Sequence, residues 1–129
     1  MSRLSTRSED YLLAIYLLRR QCPSVRISDI SRALEISAPG MTEAIKKLIA
    51  IGLVKHRKHS KIKFTSKGER IALNINLRYE TLRQFLCNIL NVPPDIAERD
   101  AKGMQHALSK TSQRKMRWPI EQLAENNTT

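Results

Sequence analysis

Residues 37–65 read SAPGMTEAIKKLIAIGLVKHRKHSKIKFT, and this stretch decides the fold. In its first half apolar residues recur at i, i+3, i+4, i+7 and i+8, which is the spacing of one buried face of a helix. These residues are Met41, Ala44, Ile45, Leu48 and Ile49. Ser37 is suited to cap this helix, Pro39 to its first turn and Gly52 to its end. The stretch therefore predicts a capped amphipathic helix over residues 38–51.

The second half of the stretch predicts a cationic β-hairpin. Around Ile62 and Phe64 apolar and basic residues alternate with period two, as in a strand with one buried face, and a turn is expected near His59. Residues 53–68 hold six cations and no acid, although a merely solvated hairpin stays an alternative. Because like charges repel unless a polyanion is present, this hairpin predicts a wing that meets DNA phosphates or the minor groove. The residues expected there are Lys55, Arg57, Lys58, Lys61 and Lys63.

Two helical patterns precede this stretch. The first covers residues 6–20, where Thr6 and Glu9 have the spacing of a capping box. The second is short, is expected to be capped near Ser28, and has an apolar stripe. The stripe consists of Ile27, Ile30 and Leu34. Helix, turn and helix before a hairpin is the pattern of a winged helix-turn-helix.

Downstream, the pattern is helical throughout. A long helix is predicted from Ser66 to about Leu90, and its apolar end at Leu82–Leu90 suits either dimerisation or packing inside its own chain. Prolines at 93 and 94 separate it from another helix, and Thr111 is expected to cap a last one that ends or kinks at Trp118-Pro119. The apolar face of the middle helix is predicted to comprise Ile96, Met104, Ala107 and Leu108. The expected fold is mainly α, with a winged-helix domain over residues 1–68 and a helical domain over residues 69–129.

Composition limits the function classes. The net charge of +11 over 129 residues points to a polyanionic partner. The sequence has no phosphate-binding glycine loop, no nucleophile elbow, no zinc-protease motif and no apolar run of membrane-spanning length, so we expect neither an enzyme nor a membrane protein. Cys22 and Cys87 are expected to be partly buried, reduced thiols of a cytoplasmic protein.

Four segments carry a family resemblance. Residues 8–16 (SEDYLLAIY), 26–34 (RISDISRAL), 68–70 (GER) and 91–106 (NVPPDIAERDAKGMQH) resemble the diphtheria-toxin-repressor and manganese-regulator (DtxR/MntR) family. The resemblance implies an N-terminal winged helix, a helical domain for dimerisation and metal binding, and a homodimer on an inverted-repeat operator. It further implies repression of metal-uptake genes with Mn²⁺ or Fe²⁺ as corepressor.

The resemblance also implies a metal site, but only some of its positions hold a side chain that can bind the metal ion. Asp10 and His106 match family ligands. The other ligand positions are replaced and fall at Leu13, Tyr79, Lys102 and Gln105. Because Mn²⁺ and Fe²⁺ need several carboxylate and imidazole donors, and an ammonium group repels them, we expect DNA binding without the full site. A modified Mn²⁺ or Fe²⁺ site is the alternative; Asp10 could equally stabilise a helix N-terminus, and His106 could be a hydrogen-bonded core residue.

By the same resemblance, the helix over residues 38–51 enters the major groove. The residues near bases would be Pro39, Gly40, Thr42 and Glu43, and those near the backbone Ser37, Lys46 and Lys47. Glu43 either accepts from a cytosine amino group or pairs with Lys47, and we favour the pairing. A nucleic-acid binder without sequence preference and a protein-interaction module are the rival interpretations.

Overall fold

The structure, a computed structural model, describes residues 4–57 and 61–128. Within these residues it is mainly helical with one small antiparallel sheet, which confirms the expected fold class. Its elements are α1 (Thr6–Gln21), α2 (Ile27–Leu34), α3 (Ala38–Ala50), β1 (Val54–Lys55), β2 (Lys63–Phe64), α4 (Ser66–Gln84), a π-helical segment (Phe85–Ile89), α5 (Pro94–Ala107) and α6 (Lys110–Thr128). The chain divides into two compact units, and the boundary lies between Ile75 and Asn76, inside α4. No helix of the described residues is long and apolar enough to cross a membrane.

The first two helices are capped one or two residues earlier than expected. Ser5, not Thr6, caps α1, and its Oγ accepts from the Ser8 backbone N–H at 3.1 Å. In α2 the predicted cap, Ser28, already lies in the first turn. The carboxylate of Asp29 instead accepts from the Arg26 backbone N–H at 2.8 Å, an arrangement that also places a negative charge near the positive end of the helix dipole.

Helix α3 begins and ends as predicted. The Ser37 Oγ accepts from the Gly40 N–H at 3.2 Å, Pro39 lies in the first turn, and Gly52 follows the helix with φ of 78°. One prediction was wrong, because Ile49 is 38% exposed. Leu53 and Val54, fully buried immediately after the helix, supply the core at this end instead.

The sheet that follows α3 is short. Val54 pairs with Phe64 and Lys55 with Lys63, so the alternation of buried and exposed side chains is as expected. The Ile62 backbone N–H donates to the Val25 carbonyl at 2.7 Å, which attaches the hairpin to the loop before α2. The predicted turn at His59-Ser60 lies outside the described residues.

A polar contact that the sequence pattern did not predict joins three elements of the first unit. The Arg19 guanidinium of α1 donates two hydrogen bonds of 2.5 Å to the carboxylate of Glu69 on α4. The same guanidinium lies over the rings of Tyr16 and Phe64, at 5.4 and 5.0 Å from their centroids. The hydrogen bonds from Arg19 lower the pKa of the Glu69 carboxyl below its usual value. The contact fixes the base of the hairpin between α1 and α4.

Gly68 permits a close approach at the start of α4. A Cβ at this position would lie 1.8 Å from the carbonyl oxygen of Leu53. That carbonyl accepts from the Thr65 N–H at 3.0 Å, and the Thr65 hydroxyl donates to the Gly52 carbonyl at 2.6 Å. The end of α3 and the start of α4 are therefore in backbone contact, and only glycine fits between them.

In the second unit the predicted apolar face of α5 was wrong. Ile96 and Ala107 are exposed and Met104 and Leu108 only half-buried. The buried residues are Ala97, Ala101 and Gln105. Small side chains at i and i+4 let a helix approach its neighbours closely, so the bulkier residues of α5 are left at the edge.

Helix α6 also differs from prediction. Ser109, not Thr111, provides its first hydrogen bond, accepting from the Ser112 N–H at 3.1 Å. The helix continues through Pro119 to Thr128 rather than ending there. Proline removes one backbone donor and disfavours helix, but Ile120 directly after it is buried, and this burial holds the second half in place.

The apolar end of the long helix packs within its own unit. Leu82 and Leu86 are buried, and the π-helical segment contacts both α5 and α6. Leu82 and Leu86 thus pack inside the chain, whereas Leu90 at the end of the same stretch is exposed, so a role of this stretch in dimerisation stays a prediction. Cys87 is half-buried as expected, whereas Cys22 is exposed, and both are free thiols.

Candidate nucleic-acid interface

The solvent side of α3 is polar and cationic. Lys46 and Lys47 are exposed, and Lys46 forms an ion pair with Glu43 at 3.3 Å, with about two thirds of each side chain exposed. The expected pairing of Glu43 with Lys47 was therefore wrong, because Glu43 pairs with Lys46, three residues along the helix, and not with Lys47, four residues along. A pair this exposed contributes little to stability, so Lys46 can exchange Glu43 for a phosphate at small cost.

The N-terminal turn of α3 is exposed at Ser37, Pro39 and Gly40. Because the first backbone N–H groups of a helix lack partners within it and carry the positive end of the dipole, this end favours an anion such as phosphate. The Ser37 Oγ already accepts from Gly40 as the cap. Thr42 is half-buried and donates its hydroxyl proton to the Ala38 carbonyl at 2.9 Å, leaving its methyl group and oxygen lone pairs for base contacts.

The hairpin presents two cations on the same side of its sheet. Lys55 and Lys63 are exposed and stand opposite each other in the register, while Val54 beside them is buried. Side chains at directly paired positions have Cβ atoms about 5 Å apart, and like charges there destabilise a hairpin. Arg57 and Lys61 are also exposed, whereas Lys58 lies outside the described residues. The arrangement is unfavourable in water alone and becomes favourable against a row of phosphates.

Sequence reasoning did not anticipate what holds the wing. The bond from Ile62 to Val25 and the contacts of Arg19 with Phe64 and Glu69 fix the hairpin base to the rest of the winged helix. One signal was available: Arg19 follows the buried Leu12 and Ile15 and the half-buried Tyr16 at helical spacing, on a face where an unpaired cation would be costly.

The positions at which the resemblance placed metal ligands have varied surroundings. Leu13 and Tyr79 are buried, Lys102 is exposed, and Asp10 and His106 are half-buried with polar or charged interactions of their own. Burial raises the pKa of the Tyr79 phenol to about 12, so it is neutral at physiological pH. Gln105 is 1% exposed, and its side-chain oxygen accepts from the Arg78 guanidinium at 3.4 Å. Within residues 4–57 and 61–128, no three His, Cys, Asp or Glu side chains are grouped so that they could hold a metal ion.

Comparison with known families identifies both parts of the chain. Residues 3–62 match the family model "Iron dependent repressor, N-terminal DNA binding domain". Residues 65–127 match "Iron dependent repressor, metal binding and dimerisation domain". The chain belongs to the DtxR/MntR family of iron-dependent repressors. The division into residues 1–68 and 69–129 stays a prediction.

Individual relatives of this DtxR/MntR protein are transcription regulators. It is 34% identical over 104 residues to the HTH-type transcriptional regulator MntR of Bacillus subtilis (strain 168), covering 81% of this chain and 72% of that one. It is 32% identical over 102 residues to the transcriptional regulator MntR of Escherichia coli O157:H7, covering 79% and 65%. These relatives are named as regulators and not as enzymes.

Solved structures support the fold. A manganese-dependent transcriptional repressor in complex with manganese superposes with a TM-score of 0.78 at 27% identity, covering 88% of this chain and 52% of that one. The manganese regulator SloR superposes with a TM-score of 0.71 at 28% identity, covering 84% and 51%. The chain thus spans about half the length of these two solved proteins.

Proposed function

We propose that this chain is a sequence-specific transcriptional regulator that binds duplex DNA as a homodimer in the bacterial cytoplasm. The observation that carries the proposal is the exposure of cations both on α3 and on the hairpin directly after it. On α3 these are Lys46 and Lys47, and on the hairpin Lys55, Lys61 and Lys63. Helix α3 would read base edges in the major groove while the wing follows the phosphates, so the operator of a dimer would be an inverted repeat.

A sequence preference separates this proposal from non-specific binding. Duplexes selected by the protein from a random-sequence library should converge on an inverted repeat and compete for binding at least about a thousandfold better than random DNA. Equal competition by random DNA would indicate an architectural nucleic-acid binder instead. A failure to bind DNA at physiological salt would favour a protein-interaction module.

We further propose that DNA binding does not require the family's full Mn²⁺ or Fe²⁺ site. The residues present do not fit either ion, because leucine has no donor atom and a neutral phenol is a poor ligand at pH 7. The oxygen of Gln105 accepts a hydrogen bond from the guanidinium of Arg78, and a cation next to a candidate ligand repels a metal ion. Gln105 thus contacts a cation at a position where the resemblance places a metal ligand.

Chelation is therefore expected to leave DNA affinity unchanged within about twofold. The measurement is a titration of a selected duplex with the purified protein in excess EDTA, and again after addition of Mn²⁺ or Fe²⁺. A matched protein carrying Asp10→Asn and His106→Gln should behave identically. Loss of affinity in EDTA that either ion restores would instead establish the alternative, a metal-dependent repressor of metal-uptake genes with a modified site.

The second unit leaves apolar side chains exposed that suit a subunit interface. In this unit Leu90 is 53% exposed, Leu123 50% and Ile96 37%. Each lies on or beside a different helix, and solvent contact of such large side chains costs free energy that a partner subunit would recover. Dimerisation through this unit also agrees with the description of the matching family domain.

A further inference from the structure

A second acid-free stretch lies outside the proposed α3 and wing surface. Residues 101–120 contain five cations and no Asp or Glu, and residues 53–68 contain six cations and no acid. Together the two stretches account for the whole net charge of +11, so the remainder of the chain is neutral. The wing uses only the first of them.

The cations of the second stretch are exposed and mostly adjacent on one helix. Lys102 is on α5 and the others lie in the first half of α6. We name as the α6 stripe Lys110, Arg114, Lys115 and Arg117, all of them exposed. Spacings of four and three residues bring Lys110, Arg114 and Arg117 together on the helix surface.

One face of α6 contacts the interior of its unit. The Gln113 side-chain nitrogen donates to the carbonyls of Gln105 and Leu108 at 2.9 and 3.2 Å. Ile120 is buried, at two turns from Gln113. The helix is therefore held in one orientation: Lys110 and Arg117 flank this contact, three and four residues from Gln113, and Arg114 and Lys115 lie beyond it.

At the start of α6, the charge distribution is unfavourable within the chain alone. The first turn of α6 holds no acid, and cations near a helix N-terminus oppose the macrodipole. Like charges four residues apart, such as Lys110 and Arg114, also destabilise a helix. A polyanion that neutralises the stripe would remove both costs.

We propose that the α6 stripe binds the phosphate backbone of duplex DNA, as a contact additional to α3 and the wing that reads no sequence. This inference rests on the proposed function. DNA is favoured over an anionic membrane because a surface-bound amphipathic helix needs an exposed apolar face beside its cations. Ile120 on α6 is buried instead, whereas Leu123 is exposed.

The test is the salt dependence of binding to a random-sequence, fluorescein-labelled duplex of about 40 base pairs, roughly four helical turns. The variant carries Lys110→Gln, Arg114→Gln and Lys115→Gln. Because each lost phosphate contact lowers the slope of log affinity against log salt by about 0.9, we expect a slope smaller by about 2 to 3.

Three controls make the result specific. A triple variant with Arg20→Gln, Arg70→Gln and Arg99→Gln removes the same charge from exposed positions on three different helices, and its slope should change by less than about one. A swap variant with Lys110→Arg, Arg114→Lys and Lys115→Arg keeps the charge and should keep the slope. Circular dichroism and thermal melts establish that each variant is folded.

Two results would overturn the inference. In one, the slope measured for the stripe variant equals the slope measured for the scattered-charge control. This result would overturn the inference even if the stripe variant had lost binding to phosphatidylserine vesicles, because the stripe would then bind a membrane and not DNA. The other is loss of slope in the folded swap variant. A different variant tests the proposed function: if neutralising the wing lysines leaves DNA binding unchanged, the proposed function fails.

Discussion

Replacing Lys55, Lys61 and Lys63 with glutamine is expected to weaken binding to duplex DNA about a hundredfold at 0.1 M salt. All three side chains are exposed on the hairpin, and Lys55 stands opposite Lys63. If each lysine makes one phosphate contact, each replacement lowers the slope of log affinity against log salt by about 0.9. At about 0.1 M salt, this lower slope corresponds to an affinity that is up to roughly eightfold weaker for each lost contact. Fluorescence anisotropy over a range of salt concentrations measures both quantities.

The same variant should be no less stable than the parent protein. Because neutralisation removes the repulsion of two lysines at paired positions, the free energy of unfolding should stay equal or rise by up to about 1 kcal/mol. Weaker binding by a fully folded protein then cannot be ascribed to loss of structure. An unchanged slope and affinity would show that the wing does not contact DNA.

Substitution of Gly68 by alanine is expected to destabilise the winged helix by about 3 kcal/mol or more. The added methyl group would lie 1.8 Å from the Leu53 carbonyl oxygen, so the start of α4 and the chain after α3 must separate. Separation weakens the bonds that Thr65 makes to Leu53 and Gly52. Urea denaturation measures the loss, and DNA affinity should fall with it because the wing base shifts.

Gly103 provides the matched control. It lies inside α5, is exposed, and a Cβ added there would meet no atom within 4 Å. Since alanine is favoured over glycine in a helix, Gly103→Ala should stabilise the protein by about 0.5–1 kcal/mol. If the two substitutions had the same small effect, the close approach at Gly68 would be refuted.

Local signals in the sequence predicted much of the first unit. The cap at Ser37, the first-turn Pro39 and the glycine after α3 are decided within a few residues, and all three were confirmed. Period-two alternation likewise placed the strand of Phe64 correctly. The exposure of Ile49 could not be predicted, because it depends on Leu53 and Val54 filling the core from the next element.

The second unit was harder to predict. Periodicity assigned the bulky residues of α5 to its buried face, whereas packing against neighbouring helices selected Ala97 and Ala101. Which of two adjacent faces is buried depends on how closely helices approach, and one sequence does not record this. Pro119 inside α6 shows the same limit, since tertiary burial outweighed a local helix breaker.

For the candidate interface, exposure of the cations followed from composition, since charged groups are rarely buried without partners. The Arg19 to Glu69 pair was not foreseen, because its partners lie 50 residues apart in the chain. The specific partner of Glu43 was also missed: Lys46 and Lys47 lie on the same helix face, and only side-chain geometry decides between them.

The most direct test of a single surface formed by α3 and the wing is lysine footprinting. Purified protein is acetylated with a limiting reagent, with and without a saturating selected duplex, and the modified lysines are quantified by mass spectrometry. The account predicts that DNA protects Lys46 and Lys47 together with Lys55, Lys61 and Lys63. Protection of the wing without α3, of α3 without the wing, or of neither would contradict it.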